Sequence, residues 1–468
     1  MDRKAFLDQL GQGLAEQEAW QAGWDAFDVD ETSHVPAEQI ASVFSEFNER
    51  LHDNFPFAHP RYAAQMVKTA HPIAELAYAI AMQFNPNNHA LDASAATSEM
   101  EKEVVADLAR MFGYGETFLG HLTSSGTIAN LEALWIARSL HPDKGIAASD
   151  QAHYTHVRMC GVVGMPFHAI PTDARGRMDL DALESALKLG VIGTVVATTG
   201  TTGLGSVDQV QDIIPLARRY GARVHVDAAY GGFFTLVAWQ AQPPIDPAPF
   251  LAIAESDSVV VDPHKHGLQP YGCGSVIFRD PSIGRFYVHD SPYTYFTSKE
   301  LHLGEISLEC SRAGAAAAAA WATFKCFPLE PDRGLGPLLA KGCRAATAWA
   351  KLLNEHERFR LVVEPELDIL NFYPIPASSE TVAASAISAL TESVYQGAMD
   401  DPNDPVFLAK FTATRRLLEQ RDDQIEWDEP TVTVLRSVLM KPEHLAWVPR
   451  LHQAVTRQVG TGAPVKDV

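Results

Sequence analysis

No stretch of this 468-residue chain reaches the ~20 consecutive apolar residues a membrane helix needs, so no spanning segment is expected. Cysteine is scarce: the five present (Cys160, Cys273, Cys310, Cys326, Cys343) form no CxxC pair and no metal-ligand spacing. Odd in number and scattered, they read as reduced thiols rather than a disulfide framework. Positive charge is also in deficit. With 37 Lys and Arg against 58 Asp and Glu, the net charge of -21 repels nucleic acid and anionic membrane alike. There is no internal repeat, no low-complexity linker and no Walker-type Gly-Lys-Ser/Thr, and residues 200–205 carry glycines in the wrong order for a dinucleotide fingerprint. The first residues run into Gln, Glu and Trp instead of an apolar signal core, so a soluble, cytoplasmic protein is expected.

What is there has the make-up of an ordinary globular protein, 46% hydrophobic and 20% charged, long enough for two or three packed units. Residues 1–84 read as an N-terminal helical segment with Trp20, Trp24 and Phe27 interleaved among polar residues. From 85 to 335, β-rich runs at 117–122, 145–150, 167–171, 191–198, 222–228, 256–262 and 273–279 alternate with helical stretches such as 127–139, 179–189 and 208–220. That alternation predicts an α/β unit, a mostly parallel sheet with helices on both faces. Ser206 and Gln209 fit a capping box for a helix whose Val210, Ile213, Ile214 and Ala217 share one face. The six alanines 315–320 before Trp321 read as a closely packed helix. Residues 336–468 change pattern, with helices at 339–357 and 380–396 and extended runs at 368–374 and 431–439, and predict a smaller α+β unit.

Open α/β sheets bind ligands where strands end in loops at their carboxyl edge, and four strand ends carry unusual residues. Ser125, Gly126 and Thr127 open a helix and offer either an anion site or an ordinary cap. His153 follows an apolar run, where an imidazole stacks on a flat ring, pairs with a carboxylate or is merely structural. Alternation turns His225, Asp227 and Ala229 to one face, and an Asp so placed calls for a positive partner such as a pyridinium nitrogen, or caps a turn. Lys265 ends the very apolar run Val259, Val260, Val261, where partial burial favours the neutral, nucleophilic amine. His264 and His266 sit two apart, as metal ligands do, but no carboxylate or third His follows at convincing spacing, and no metal is expected.

In order, residues 123–130 (TSSGTIAN), 149–153 (SDQAH), 199–203 (TGTTG), 225–230 (HVDAAY) and 262–265 (DPHK) resemble the group II pyridoxal-phosphate-dependent amino-acid decarboxylases of the aspartate-aminotransferase fold, fold type I. The resemblance runs from His-Pro-Arg-Tyr (59–62) to Leu-Met-Lys-Pro-Glu-His (439–444), nearly the whole chain. It implies pyridoxal 5'-phosphate as cofactor, with Lys265 forming its Schiff base, Asp227 on the pyridine nitrogen, His153 on one ring face and Ala229 on the other. Ser125, Gly126, Thr127 and His264 would hold the phosphate, and Thr202 would touch the cofactor from the side. A homodimer with active sites at the interface is implied, as is a loop tyrosine that returns a proton. Of Tyr287, Tyr293 and Tyr295, the reading favours Tyr293 in Ser-Pro-Tyr-Thr.

The function expected is decarboxylation of an L-amino acid to amine and carbon dioxide, with tyrosine narrowly ahead of aspartate or glutamate. A carbon–carbon lyase or an aldehyde-forming oxidative decarboxylase is the rival within the same cofactor chemistry. A binding protein that kept the fold is the third reading, and an intact Lys265, Asp227 and His153 argue against it. Arg312, where Ala313 replaces a proline common in relatives, would anchor a carboxylate or brace the loop. His59, Tyr62, Asn87 and His89 are expected to help build the substrate pocket.

Overall fold

The computed structural model describes residues 1–89, 93–288, 306–377, 381–419 and 421–460. Seven strands make one sheet: β1 (Leu119–Thr123), β2 (Gly145–Ser149), β3 (Phe167–Ile170), β4 (Ile192–Thr198), β5 (Arg223–Asp227), β6 (Ser258–Val261) and β7 (Gly274–Phe278). Each falls on a run expected from its β-branched and apolar residues. Their order is β1-β7-β6-β5-β4-β2-β3, and β7 alone runs against its neighbours. Strands β4, β6 and β7 are buried along their whole length, as expected for a sheet covered on both faces. Val259, Val260 and Val261 are fully buried, which contributes about 1.5–3 kcal/mol each. The fold is thus the aspartate-aminotransferase-like α/β arrangement that the motifs implied.

The run of alanines lies in the helix Gly314–Cys326, which packs against the helices Pro72–Ala81 and Ala95–Met111 and buries most of its alanines. The capping box at Ser206 does not form. Helix Val210–Arg219 starts after Gln209, which makes no side-chain cap, and Ser206 Oγ instead donates to Arg175 O at 2.7 Å. Buried Asp208 accepts the amides of Met178 and Thr198 at 2.7 and 2.8 Å. Long-range partners have outcompeted the local motif.

A second, antiparallel sheet runs Ala409–Thr414, Thr431–Val438, Ile369–Pro374 and Phe359–Leu361 in spatial order. Helix Leu335–Asn354 serves both cores: Leu339 and Cys343 join the first, Trp349 and Leu353 the second. At the other end, the helices Arg3–Gln21 and Ala37–Leu51 bury no residue. Among the described residues, no helix is long and apolar enough to cross a membrane.

Candidate active site

The carboxyl ends of β1, β2, β4, β5 and β6 open on one cavity of about 190 Å³. Its lining contains Ser125, Gly126, Thr127, His153, Thr202, Asp227, Ala229, His264 and Lys265, every described residue singled out from the sequence as cofactor-binding or catalytic. Tyr293 lies outside the described residues.

After β1 the chain turns into helix Gly126–Leu140, with Ser125 Oγ accepting the Ile128 amide at 3.3 Å. The first amides of a helix have no intrahelical partner, so this turn faces the cavity with donors. Two glycines make the packing possible. A Cβ on Gly126 would lie 2.6 Å from Asp262 Oδ2, and one on Gly274 in β7 would lie 2.6 Å from the Ser125 carbonyl carbon.

At the end of β5, Asp227 is buried, and its Oδ2 lies 2.8 Å from His156 Nε2. Its Oδ1 accepts the Ala229 amide at 3.1 Å. Burial works to raise this carboxyl, but the hydrogen bond from His156 and the charges of His156, His225 and Lys265 outweigh it and hold it well below the usual carboxylate range. A buried, ionised carboxylate facing a cavity suits a cationic ring nitrogen. His225, two residues back on the same face, bonds Ser258 Oγ and Asn130 Oδ1, both at 2.9 Å, and burial pushes it down to about 3. It is a core histidine.

His153 Nδ1 lies 2.8 Å from Thr155 Oγ1, which fixes the ring. Burial and the neighbouring Lys265 and His156 lower its pKa despite Asp227 and Asp262, so the imidazole is neutral at pH 7. Thr202 belongs to a clamped turn. Gly200 and Thr201 both donate to Ser206 O at 3.1 and 2.9 Å, and buried Arg436 donates to Thr202 O at 2.7 Å and Gly203 O at 3.1 Å.

Lys265 follows β6 in a tight turn closed by its own amide on Asp262 O at 2.9 Å. Its Nζ is 3.0 Å from Asp262 Oδ2. His264 Nε2 is 3.5 Å from that same oxygen, whereas His266 Nε2 faces Asp368 Oδ2 at 3.3 Å. The two histidines therefore address different carboxylates and do not converge as metal ligands do.

A phosphorylated pyridine aldehyde fits this donor set: helix-terminal amides and hydroxyls for an anion, a carboxylate for a ring nitrogen, an amine for a carbonyl. Two buried acceptors of the lining, Thr198 Oγ1 and Asp262 Oδ1, have no hydrogen-bond partner among the described residues, as a site built for a ligand leaves them.

Sequence reasoning missed His156 and Asp262. His156 lies three residues past His153, in the first turn of helix Thr155–Val163, and its amide donates to His153 O at 3.1 Å, so the close pair of histidines was the available signal. Asp262 was in plain view beside Lys265, but only the folded turn brings its carboxylate back onto Nζ. The residues expected to build the substrate pocket have other partners. Asn87 bonds Ser311 and the Arg312 amide, His59 packs on Trp447, and Tyr62 is buried among Phe55, Phe57 and Phe407. Neither they nor His89 line this cavity.

Arg312 is a brace. Buried behind β1, it pairs with Glu101 and donates to Leu122 O at 2.9 Å and Asn88 O at 3.1 Å. Arg312→Ala strands the buried Glu101 carboxylate, and a loss of about 3–5 kcal/mol is expected, read as a lower denaturation midpoint. A variant that lost substrate affinity at unchanged stability would instead mark a carboxylate anchor.

The pyridoxal-dependent decarboxylase conserved domain matches residues 27–374. An L-tyrosine decarboxylase of Enterococcus faecium is 28% identical, the match taking in 86% of this chain and 85% of that protein. An aspartate 1-decarboxylase of Aliivibrio fischeri is 29% identical over 68% of this chain and 64% of its own length. An L-2,4-diaminobutyrate decarboxylase of Acinetobacter baumannii is 27% identical over 74% and 72%. Among solved structures, Oryza sativa TDC with PLP and tryptamine superposes with a TM-score of 0.77 at 18% identity, covering 98% of this chain and 99% of that one. Mouse CSAD in apo form gives 0.75 at 19% identity, covering 96% and 98%, so the likeness in fold spans the whole chain.

Proposed function

Because this chain belongs to the pyridoxal-dependent decarboxylase family, and so is a pyridoxal-phosphate-dependent amino-acid decarboxylase, we propose that the cavity at Lys265 is its active site and that an aromatic L-amino acid, tyrosine first, is its substrate. One observation carries the site: segments up to 140 residues apart in sequence (265 − 125) bring an amine, a buried carboxylate, a neutral imidazole and a helix N-terminus to one cavity. On this reading the cofactor-binding unit spans 85–335, between the N-terminal segment 1–84 and the smaller unit 336–468.

Pyridoxal phosphate, when bound, supplies an electron sink for the pair left behind by departing carbon dioxide. The chain's own residues set the conditions. Ionised Asp227, fixed by His156 and the Ala229 amide, holds a proton on the ring nitrogen. Neutral His153, fixed by Thr155, gives a flat uncharged face for stacking. Ser125, Gly126, Thr127 and His264 bind the phosphate end, and Thr202, on its clamped turn, limits sideways motion. Asp262 orients the Lys265 amine. Tyr293 returns the proton to carbon.

Tyr271 supports the aromatic choice. It is 62% exposed and packs on His264 with ring centroids 5.0 Å apart, a flat surface next to a cavity residue. A screen of L-amino acids with the holoenzyme should give carbon dioxide and amine in equal amounts, fastest with tyrosine. Faster turnover of aspartate, glutamate or 2,4-diaminobutyrate would overturn the substrate, and aldehyde with ammonia and peroxide would overturn the reaction. In the same assay Tyr293→Phe should slow amine formation, and an unchanged rate would remove that residue from the scheme.

The exposed N-terminal arm supports a homodimer. Ile40, Val43, Phe44, Phe47 and Leu51 form one apolar stripe on helix Ala37–Leu51, each 45–58% exposed. Phe44→Asp with Phe47→Asp should lower the mass in light scattering from dimer toward monomer. A double variant that stays dimeric would show that this stripe is not the interface.

A further inference from the structure

Asp368 lies just before strand Ile369–Pro374 of the second sheet, yet its carboxylate is buried against the first. Tyr230, three residues past Asp227, donates to its Oδ1 at 2.6 Å. His266, the residue after Lys265, places Nε2 at 3.3 Å from its Oδ2, close but off the line of a hydrogen bond. The His266 ring is wedged between Tyr230 and Phe234, both at 4.8 Å between centroids. One carboxylate thus touches the residues that follow both strand-end motifs of the site, and Tyr230 itself lines the cavity. Nothing in the catalytic scheme above uses it.

We propose that Asp368 is a positioning residue: its charge, carried in from the second sheet, holds the Asp227–Tyr230 turn and the Lys265–His266 turn in register and tunes the field at Lys265. The inference rests on the cavity at Lys265 being the cofactor site. A carboxylate buried this completely is costly unless it is compensated. Four groups around it bear on its charge: Tyr230 by its hydrogen bond, Lys68 and Arg436 by positive charge, and Cys343 as a buried thiol. His266 adds no charge, because burial together with Lys68 and Lys265 drives it well below the ordinary histidine range. Burial lifts Asp368 itself to about 6, so its charge changes within the range where the holoenzyme can be studied. The Lys68 amine is buried with no hydrogen-bond partner among the described residues and is pushed down to about 8, so it stays largely cationic while Asp368 titrates.

The test separates charge from packing. Asp368→Asn keeps an acceptor for the Tyr230 hydroxyl but removes the charge, and Tyr230→Phe keeps the charge but removes the donor that stabilises it. The native holoenzyme is expected to show an inflection near pH 6 in its visible cofactor absorbance. Asp368→Asn should lack that inflection, bind pyridoxal phosphate about tenfold more weakly and lose kcat with little change in KM. Tyr230→Phe should move the inflection to higher pH, because the hydroxyl that favours the ionised carboxyl is gone. Should Asp368→Asn not fold, the Tyr230→Phe shift alone decides. Titrations and cofactor affinities matching the native enzyme in every variant that folds would overturn the proposal. A native chain with no visible absorbance on addition of the cofactor would overturn the Lys265 reading first.

Discussion

Lys265→Ala is expected to lower kcat/KM at least about 10³-fold, more than 4 kcal/mol of transition-state stabilisation, while the chain stays folded. Among the described residues it is the only lysine in the cavity lining, 3.0 Å from Asp262 Oδ2, and its side chain is 22% exposed, open enough to meet an aldehyde. Its removal leaves Asp262 without a cation, but the fold keeps the fully buried β6 strand and the backbone bonds of the turn, so a cooperative thermal transition should survive. Carbon dioxide release and visible absorbance with added cofactor are the readouts. Near-native turnover would remove Lys265 from the chemistry, and an unfolded variant would make it structural.

Asp227→Asn is expected to cost about 10² to 10³ in kcat, the usual size for losing one preorganised electrostatic contact. The amide is nearly isosteric: its one oxygen can still accept the Ala229 amide, and its NH2 can donate to an unprotonated His156 Nε2, so the geometry persists while the charge does not. The Ala variant is more disruptive, because it also strands the buried His156. The pH consequence has a definite sign. The folded pKa lies below the unfolded one, so the ionised carboxylate contributes stability above about pH 4, and that contribution is lost as pH falls through the folded value. Asp227 is therefore charged throughout the working range, and any fall in activity between pH 5 and 7 must come from other groups. If Asp227→Asn kept native kcat and merely moved an acidic limb, the carboxylate would be a titrating base rather than a fixed counter-charge.

The residues legible in the sequence share a physical trait. Each stands at the end of a strand whose apolar, β-branched run is strong enough to be recognised without tertiary help, as with Val259, Val260 and Val261 before Lys265 or Arg223–Asp227 itself. Period-2 alternation then says which side chains share a face, and Asp227 follows. What stayed hidden depends on contacts between distant segments. His156 approaches Asp227 across 71 positions, and Asp368 reaches Tyr230 across 138. Neither leaves a local pattern. Ser206 shows the reverse error, a correct local motif defeated because Arg175 O, 31 positions away, takes its hydroxyl. Arg312 was ambiguous for the same reason: its chemistry suits either a substrate carboxylate or a buried brace, and only Glu101 behind β1 decides between them.

The identity of the lysine that carries the cofactor is the point on which everything else hangs. Borohydride reduction of the holoenzyme followed by peptide mass spectrometry reads it directly. One pyridoxyl group per chain, on Lys265, is the expected result. An adduct on Lys68, whose buried amine is itself pushed down to about 8, or on Lys441, pushed down to the same region, would contradict it, as would a chain that retains no adduct at all.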